Sequence, residues 1–324
     1  MNIQFRTYDP ERDIDALIRF WGENSGWDVI DRTEWEHRFY DTPYGPAAIV
    51  IAYDSDTDEL VGQFLFIPTL VQAKGQSLKG FRPYAPIIGE RIRKELGMST
   101  LFQVFVRMYW FSVEAIRQQG GQLLYIMPDP RWVMMFRLSD EIQHHNFPLL
   151  SLALPADDFP VMSDNLTTET LPPTDPRIDA LWQNSQSNLY EYSVVRSTKT
   201  FAWKATHGDY RILGIFQNSE LVGVTASVVK PQDKQWLLCD TVIRNDEALY
   251  PTLLATCRLA QETQQKEGSF QKIAVMCIPK MEATLRQLGF VGDEYQFPFV
   301  VHVLDPALNR DAFAPEHWYA SATD

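Results

Sequence analysis

The sequence predicts an α/β fold laid down twice, as two tandem units, each a mixed and mostly antiparallel sheet flanked by helices. Three observations lead there. Four segments recur in the same order along the two halves, short apolar runs alternate with helical periodicity inside each half, and proline- and glycine-marked turns separate them. The 324 residues have room for two cores of ordinary size.

Taken in order, "DPERDIDALIRFW" returns as "DPRIDALWQNS", with Ile-Asp-Ala-Leu at residues 14–17 and 178–181. Each predicts an opening helix. Next, "AAIVIAYDSDTDELVGQFLFIP" is echoed by "YRILGIFQNSELVGVTASVV". Both read as a strand, a polar turn and a second strand opening with Leu-Val-Gly, at 60–62 and 221–223. A helix over 100–118 then carries apolar residues around most of its girth, which predicts burial on more than one side, between sheet and partner unit. "QQGGQLLYIMPDP" pairs with "KEGSFQKIAVMCIPK", a helix end and then a buried strand stopped at Pro128 and Pro279. Last, "FPLLSLALP" matches "FPFVVHVLDP" at Phe147 and Phe297. Each copy thus runs helix, strand, strand, helix, strand, helix, strand. The proline-rich polar stretch "LPADDFPVMSDNLTTETLPPTDP" suits a linker, giving units 1–158 and 159–324.

Composition narrows the partners. A net charge of −13 disfavours nucleic acid, and DNA in particular, because phosphate recognition rests on clustered Lys and Arg. A small anion needs only a local basic patch. The most apolar segment, 101–116, is broken by Arg107 and Glu114 and is too short to span a bilayer, so no membrane partner is expected. "MNIQFRTYDPERD" has no basic run followed by an apolar one, and the expected compartment is the cytoplasm. Cys239, Cys257 and Cys277 stand far apart inside apolar contexts and predict buried free thiols. The six histidines offer no ligand spacing, and no metal is expected.

The "ELVG" hairpins, the glycine turn "KELGMST", the stretch "PKMEATLRQLGF" and the closing "HWYASATD" together resemble the GNAT acyltransferase superfamily, and the whole chain resembles its tandem members. That resemblance implies acetyl-CoA, or another acyl-CoA, as co-substrate. In the family a Q/R-x-x-G-x-G/A turn before a helix binds the CoA pyrophosphate through backbone N–H groups. The matching residues are Lys94, Gly97, Met98, Ser99 and Thr100, with Arg93 alongside. Lys94 replaces Gln or Arg and Ser99 replaces Gly or Ala, yet one remains cationic and the other can donate a hydrogen bond. The physics is general: helix starts carry free N–H donors and a positive dipole end, and glycine admits close approach. Six basic residues and a single acid lie between Lys74 and Lys94, which predicts a basic patch for the phosphates. The second copy carries acids and no glycine in the corresponding "CDTVIRNDEALYPTLLATCRLA", so a donor site is expected in the first unit alone.

Acyl transfer to an amine requires the amine to lose a proton and the thiolate to gain one. Glu90, the carboxylate just upstream of the turn, is the candidate base. The tyrosine that the family uses as acid is missing from "PDPRWVMMFRLSDE", which offers Trp132 and Phe136 instead. Tyr125 is the candidate acid, with Tyr84 a second substitute. The expected function is N-acetyl transfer from acetyl-CoA to a small-molecule amine. Two alternatives remain open: a catalytically silent acyl-CoA or ligand sensor, and a Fem-like aminoacyltransferase, against which the chain's acidity argues.

Overall fold

The computed structural model describes residues 2–27, 29–128, 133, 139–156 and 159–324. The first half contains β1 (Ile3–Thr7), α1 (Pro10–Asn24), α2 (Arg32–Phe39), β2 (Ala48–Asp54), β3 (Glu59–Ala73), β4 (Gln76–Ile88), α3 (Glu90–Glu95), α4 (Met98–Gln118), β5 (Leu123–Ile126) and β6 (Ile142–Ala153). The second contains β7 (Leu166–Thr170), α5 (Pro176–Leu189), β8 (Tyr192–Val194), α6 (Thr198–Ala205), β9 (Arg211–Gln217), β10 (Glu220–Lys230), β11 (Gln235–Ile243), α7 (Leu249–Glu267), β12 (Lys272–Met276), α8 (Pro279–Gln287), β13 (Val291–Val303) and β14 (Trp318–Tyr319). The fold is the expected mixed sheet flanked by helices.

The repeated Asp-Pro has a local cause. Asp9 and Asp175 cap α1 and α5, each side chain accepting a hydrogen bond from the N–H two residues on, and Pro10 and Pro176 occupy the first helical position, where no N–H is needed. Alternation along β2–β4 then feeds two cores. Ile49, Ile51, Leu65 and Ile67 pack under α1 and α2, while Val50, Ala52, Phe64 and Phe66 pack under α4, as a period of two demands.

Two expectations need correcting. The first half holds two strands beyond those predicted, β1 and β4, and the second holds four, β7, β8, β11 and β14; β1 and β7 are edge strands, and β4 and β11 third meander strands. Proline hid the first meander: Pro68 looks like a strand end but lies inside β3, beyond the reach of β2 and before the pairing with β8, where its missing N–H costs no ladder bond. Helix α4 is buried on one stripe only (Val104, Phe105, Met108, Ile116), and Trp110 and Phe111 are exposed; it packs on β1–β3 of its own half.

The two halves share one sheet. The main path of the sheet runs β1-β2-β3-β4-β5-β13-β6-β12-β11-β10-β9-β7. The two halves have matching strand orders, but their final strands are exchanged: β13 completes the first half beside β5, and β6 completes the second beside β12. One core cluster accordingly draws Tyr125 and Phe147 together with Ile273, Phe299 and Trp318. The three cysteines are buried and free, as expected. Among the described residues no helix is long and apolar enough to cross a membrane.

Candidate functional site

Strands β4 and β5 run parallel but pair only at Gly80–Leu123 and Phe81–Leu124. Beyond Phe81, β4 continues to Ile88 with no described strand on that edge. Its other edge slips register between Gln63 and Leu65, opposite Ala85, whose φ is 47°. A bulge of this kind bends a strand and re-aims its side chains, and bulges are over-represented beside active sites. The chain then turns through α3 to the start of α4.

Gly97 caps α4 with φ −65° and ψ 158°, and no side chain caps this helix. A Cβ built on Gly97 would meet nothing within 4 Å. Neither backbone nor packing requires glycine here. Gly97, Ser99 and Thr100 are exposed. The Thr100 N–H donates to the Gly97 carbonyl at 2.9 Å, so Thr100 is not the free donor expected. The first-turn N–H groups of Gly97, Met98 and Ser99 are those that a helix start leaves without intrahelical acceptors. The second half differs: Asn245 accepts from the Ala248 N–H, and Asp246, bound to Lys280 at 2.7 Å, precedes α7.

The basic run does not converge. Lys74 pairs with Glu191 at the β3–β4 turn, and Lys79 donates to the Gln119 carbonyl. At ~3.3 Å per residue, Lys79 lies roughly 30 Å along the strand from Ile88. Only Arg91, Arg93 and Lys94 stand near the turn. Arg91 is engaged by Glu59 (2.8 Å) and Glu95 (3.2 Å) and Lys94 by Glu90 (2.8 Å). Arg93 is exposed and has no carboxylate at ion-pair distance among the described residues.

Glu90 and Tyr125 stand in opposite surroundings. Glu90 is an exposed carboxylate at the start of α3, and its hydrogen bond with Lys94 holds it below the usual range. A base needs the opposite shift. Tyr125 is 1% exposed, enclosed by Phe299 and Trp318, and burial pushes its phenol far up. Trp132 and Phe136 lie outside the described residues. Tyr84 is half-buried and stacks on Trp21.

Tyr84 borders a cleft of about 290 Å³ between the halves. Arg38, Arg82 and Tyr84 line it from the first half, and Trp203, His207 and Lys230 from the second. Beneath Lys204, which also lines it, lies a buried network that sequence reasoning missed. Arg196 touches Asp240 at 2.6 Å and also pairs with Asp324. Lys204 lies 3.2 Å from Asp240 and 3.1 Å from Asp324. Arg196 and Asp240 are 0% exposed. Burial would raise the Asp324 carboxyl, but Arg196 and Lys204 outweigh it and hold it at about 2. The available signal was charge inside apolar runs, "SVVRST" and "LLCDTV". His207 donates from Nδ1 to the Trp203 carbonyl at 2.7 Å, since a carbonyl can only accept. Burial lowers its pKa, and Arg38, His37 and Arg82 lower it further.

No family model matches the sequence, and no curated protein matches it. Solved structures do. A GCN5-related N-acetyltransferase from Anabaena variabilis superposes with a TM-score of 0.68 at 11% identity, over 94% of this chain and 73% of that one. A tandem GNAT protein from the clavulanic acid biosynthesis pathway gives 0.58 at 13% identity, over 95% and 100%. An N-myristoyltransferase from Saccharomyces cerevisiae, solved with bound myristoyl-CoA, gives 0.56 at 11% identity, over 94% and 79%. At these identities the likeness is one of fold, and the chain has the GNAT fold.

Proposed function

We propose that the chain transfers an acyl group from acyl-CoA to an amine. One observation carries the reading: β4 and β5 part after two paired residues, and β4 leads on to a helix start whose glycine nothing in the fold requires. The amide-bearing arm of CoA would lie along the free edge of β4, as an added strand does. Its pyrophosphate would meet the N–H groups of Gly97, Met98 and Ser99, with the helix dipole behind them and Arg93 beside them. The amine would occupy the cleft bordered by Tyr84. Its nitrogen attacks the thioester carbonyl, the C–N bond forms and the C–S bond breaks. The thiolate takes its proton from water, and the amine gives its own to solvent, so the protein's contribution is chiefly positioning.

A second reading, an acyl-CoA binder without turnover, is favoured by the exposed ion pair that engages Glu90 and by the burial of Tyr125. Calorimetric titration with acetyl-CoA, followed by thiol release with a panel of amines, separates the two. Binding with release supports transfer, and binding alone supports the silent binder. A folded protein that does not bind acetyl-CoA at millimolar concentration overturns both.

A further inference from the structure

We infer that the cleft between the halves holds a ligand bearing an anionic group, a carboxylate or a phosphate, gripped by Arg82 with help from Lys230. Read with the proposed activity, on which this part rests, the acceptor is an amine that also carries an acid.

The charges lining the cleft can be followed one by one. Arg38 is engaged by Glu34, Lys204 by Asp240 and Asp324, and the lining carboxylate Asp209 by Arg211. Arg82 and Lys230 remain, and neither has a carboxylate at ion-pair distance among the described residues. In a chain of net charge −13 this is a local reversal of sign.

Arg82 is half-buried and held in place from two sides. Its Nη1 donates to the Thr323 carbonyl at 3.2 Å, and the guanidinium lies 5.5 Å from the centre of the Tyr84 ring. A guanidinium has five N–H donors in a rigid fork. Orienting one of them through the tail leaves the others for a planar carboxylate or a phosphate. Two further donors on lining residues, Nε of Arg38 and Nε1 of Trp203, are buried without a hydrogen-bond partner. Buried polar atoms are ordinarily satisfied, so these two donors lack acceptors; Nε2 of His207, the acceptor nitrogen of a ring that donates from Nδ1, is buried without a partner beside them. The aromatic faces of Tyr84 and Trp203 suit an apolar or ring portion beside the acid. Burial is the main cause of the depressed His207 imidazole, and Arg38, His37 and Arg82 add to it in the same direction.

The test uses the full chain and two matched pairs of probes, L-phenylalanine against L-phenylalaninamide and phosphoethanolamine against ethanolamine. Binding is read by calorimetry without acyl-CoA, and thiol release is read with acetyl-CoA present. At least one acid should bind about ten-fold or more tighter than the partner that lacks the acidic group. Arg82→Gln should abolish that preference while acetyl-CoA binding stays as in wild type. Because Arg82 also holds the tail, Lys230→Gln provides a control: this exposed side chain should leave the melting temperature unchanged and reduce the preference in part. Equal binding of acid and acid-free partner, a preference that survives Arg82→Gln, or no binding of either acid at millimolar concentration overturns the inference. Acid binding without thiol release upholds this site and counts against acyl transfer. Transfer to amines with and without the acidic group alike does the reverse.

Discussion

Phe147 and Phe297, counterparts in the two sequence repeats, face each other across the antiparallel pair β6–β13. Pro148 meets Gln296 and Asn146 meets Pro298 on either side, so a local two-fold relation between the halves passes through this pair. An isologous contact of that kind is normally made by two copies of one chain. Here it joins two halves of a single chain, and each half closes its sheet with the other's last strand.

It follows that residues 1–158 should not form a stable monomer. Without β13, the edge of β5 and the apolar face around Tyr125 and Phe147 are uncovered, and an uncovered edge seeks a partner strand. The fragment should dimerise, remaking the Phe147 contact with a second copy, or aggregate. Light scattering after size exclusion reads the mass, and a monomer that unfolds cooperatively would contradict the exchanged-strand account.

Gly97→Asp should separate stability from binding. Asp is at least as good an N-cap as Gly, by up to a few tenths of a kcal/mol, and the site is open, so the melting temperature should hold or rise slightly. The new carboxylate would stand where the pyrophosphate is proposed to sit, and acetyl-CoA affinity should fall about ten-fold or more. Lys94→Ala removes an exposed pair worth about 1 kcal/mol or less and should change both little. Unchanged acetyl-CoA affinity in Gly97→Asp would place the donor elsewhere.

Asp240→Asn should be costly. It leaves Arg196 and Lys204 with Asp324 as their remaining carboxylate in a site nearly closed to solvent, and breaking a buried pair typically costs about 3–5 kcal/mol. Urea unfolding of the variant measures it. A loss under about 1 kcal/mol would mean that the network is solvated.

His302 should make the fold acid-sensitive. Its Nδ1 lies 2.8 Å from the Tyr109 hydroxyl, and burial pushes its pKa down to about 4, against the opposing pull of Glu141 and with Arg117 and Arg310 adding to the depression. Trp110 packs edge-on against its ring. The unfolded imidazole takes a proton below about 6.5, and the folded one does not until about 4. Stability is therefore full above that upper value and is lost as pH falls toward the lower, by up to about 3 kcal/mol. His302→Gln should flatten the fall between pH 6.5 and 5 seen in chemical unfolding of wild type. An unaltered slope would assign the acid sensitivity to other groups.

The sequence by itself determined whatever is written in neighbouring residues. Asp-Pro set the starts of α1 and α5, Leu-Val-Gly marked β3 and β10, buried contexts kept the three cysteines free, and four ordered echoes established the duplication. Gly97 at a helix start was legible for the same reason. Tertiary structure decided what depends on who lies alongside. β6 and β13 carry the same Phe-Pro pattern, so nothing local says which half each completes, and the exchange was invisible. Strands β1 and β7 are partly or largely exposed at the sheet edges and lack the apolar runs that announce a strand. Six cations close in sequence were spread from the β3–β4 turn along β4 to α3, while Arg196, Lys204, Asp240 and Asp324, on separate elements of the chain, met in one cluster of paired charges. Charge acts through space, and only the packed sheet fixes those distances.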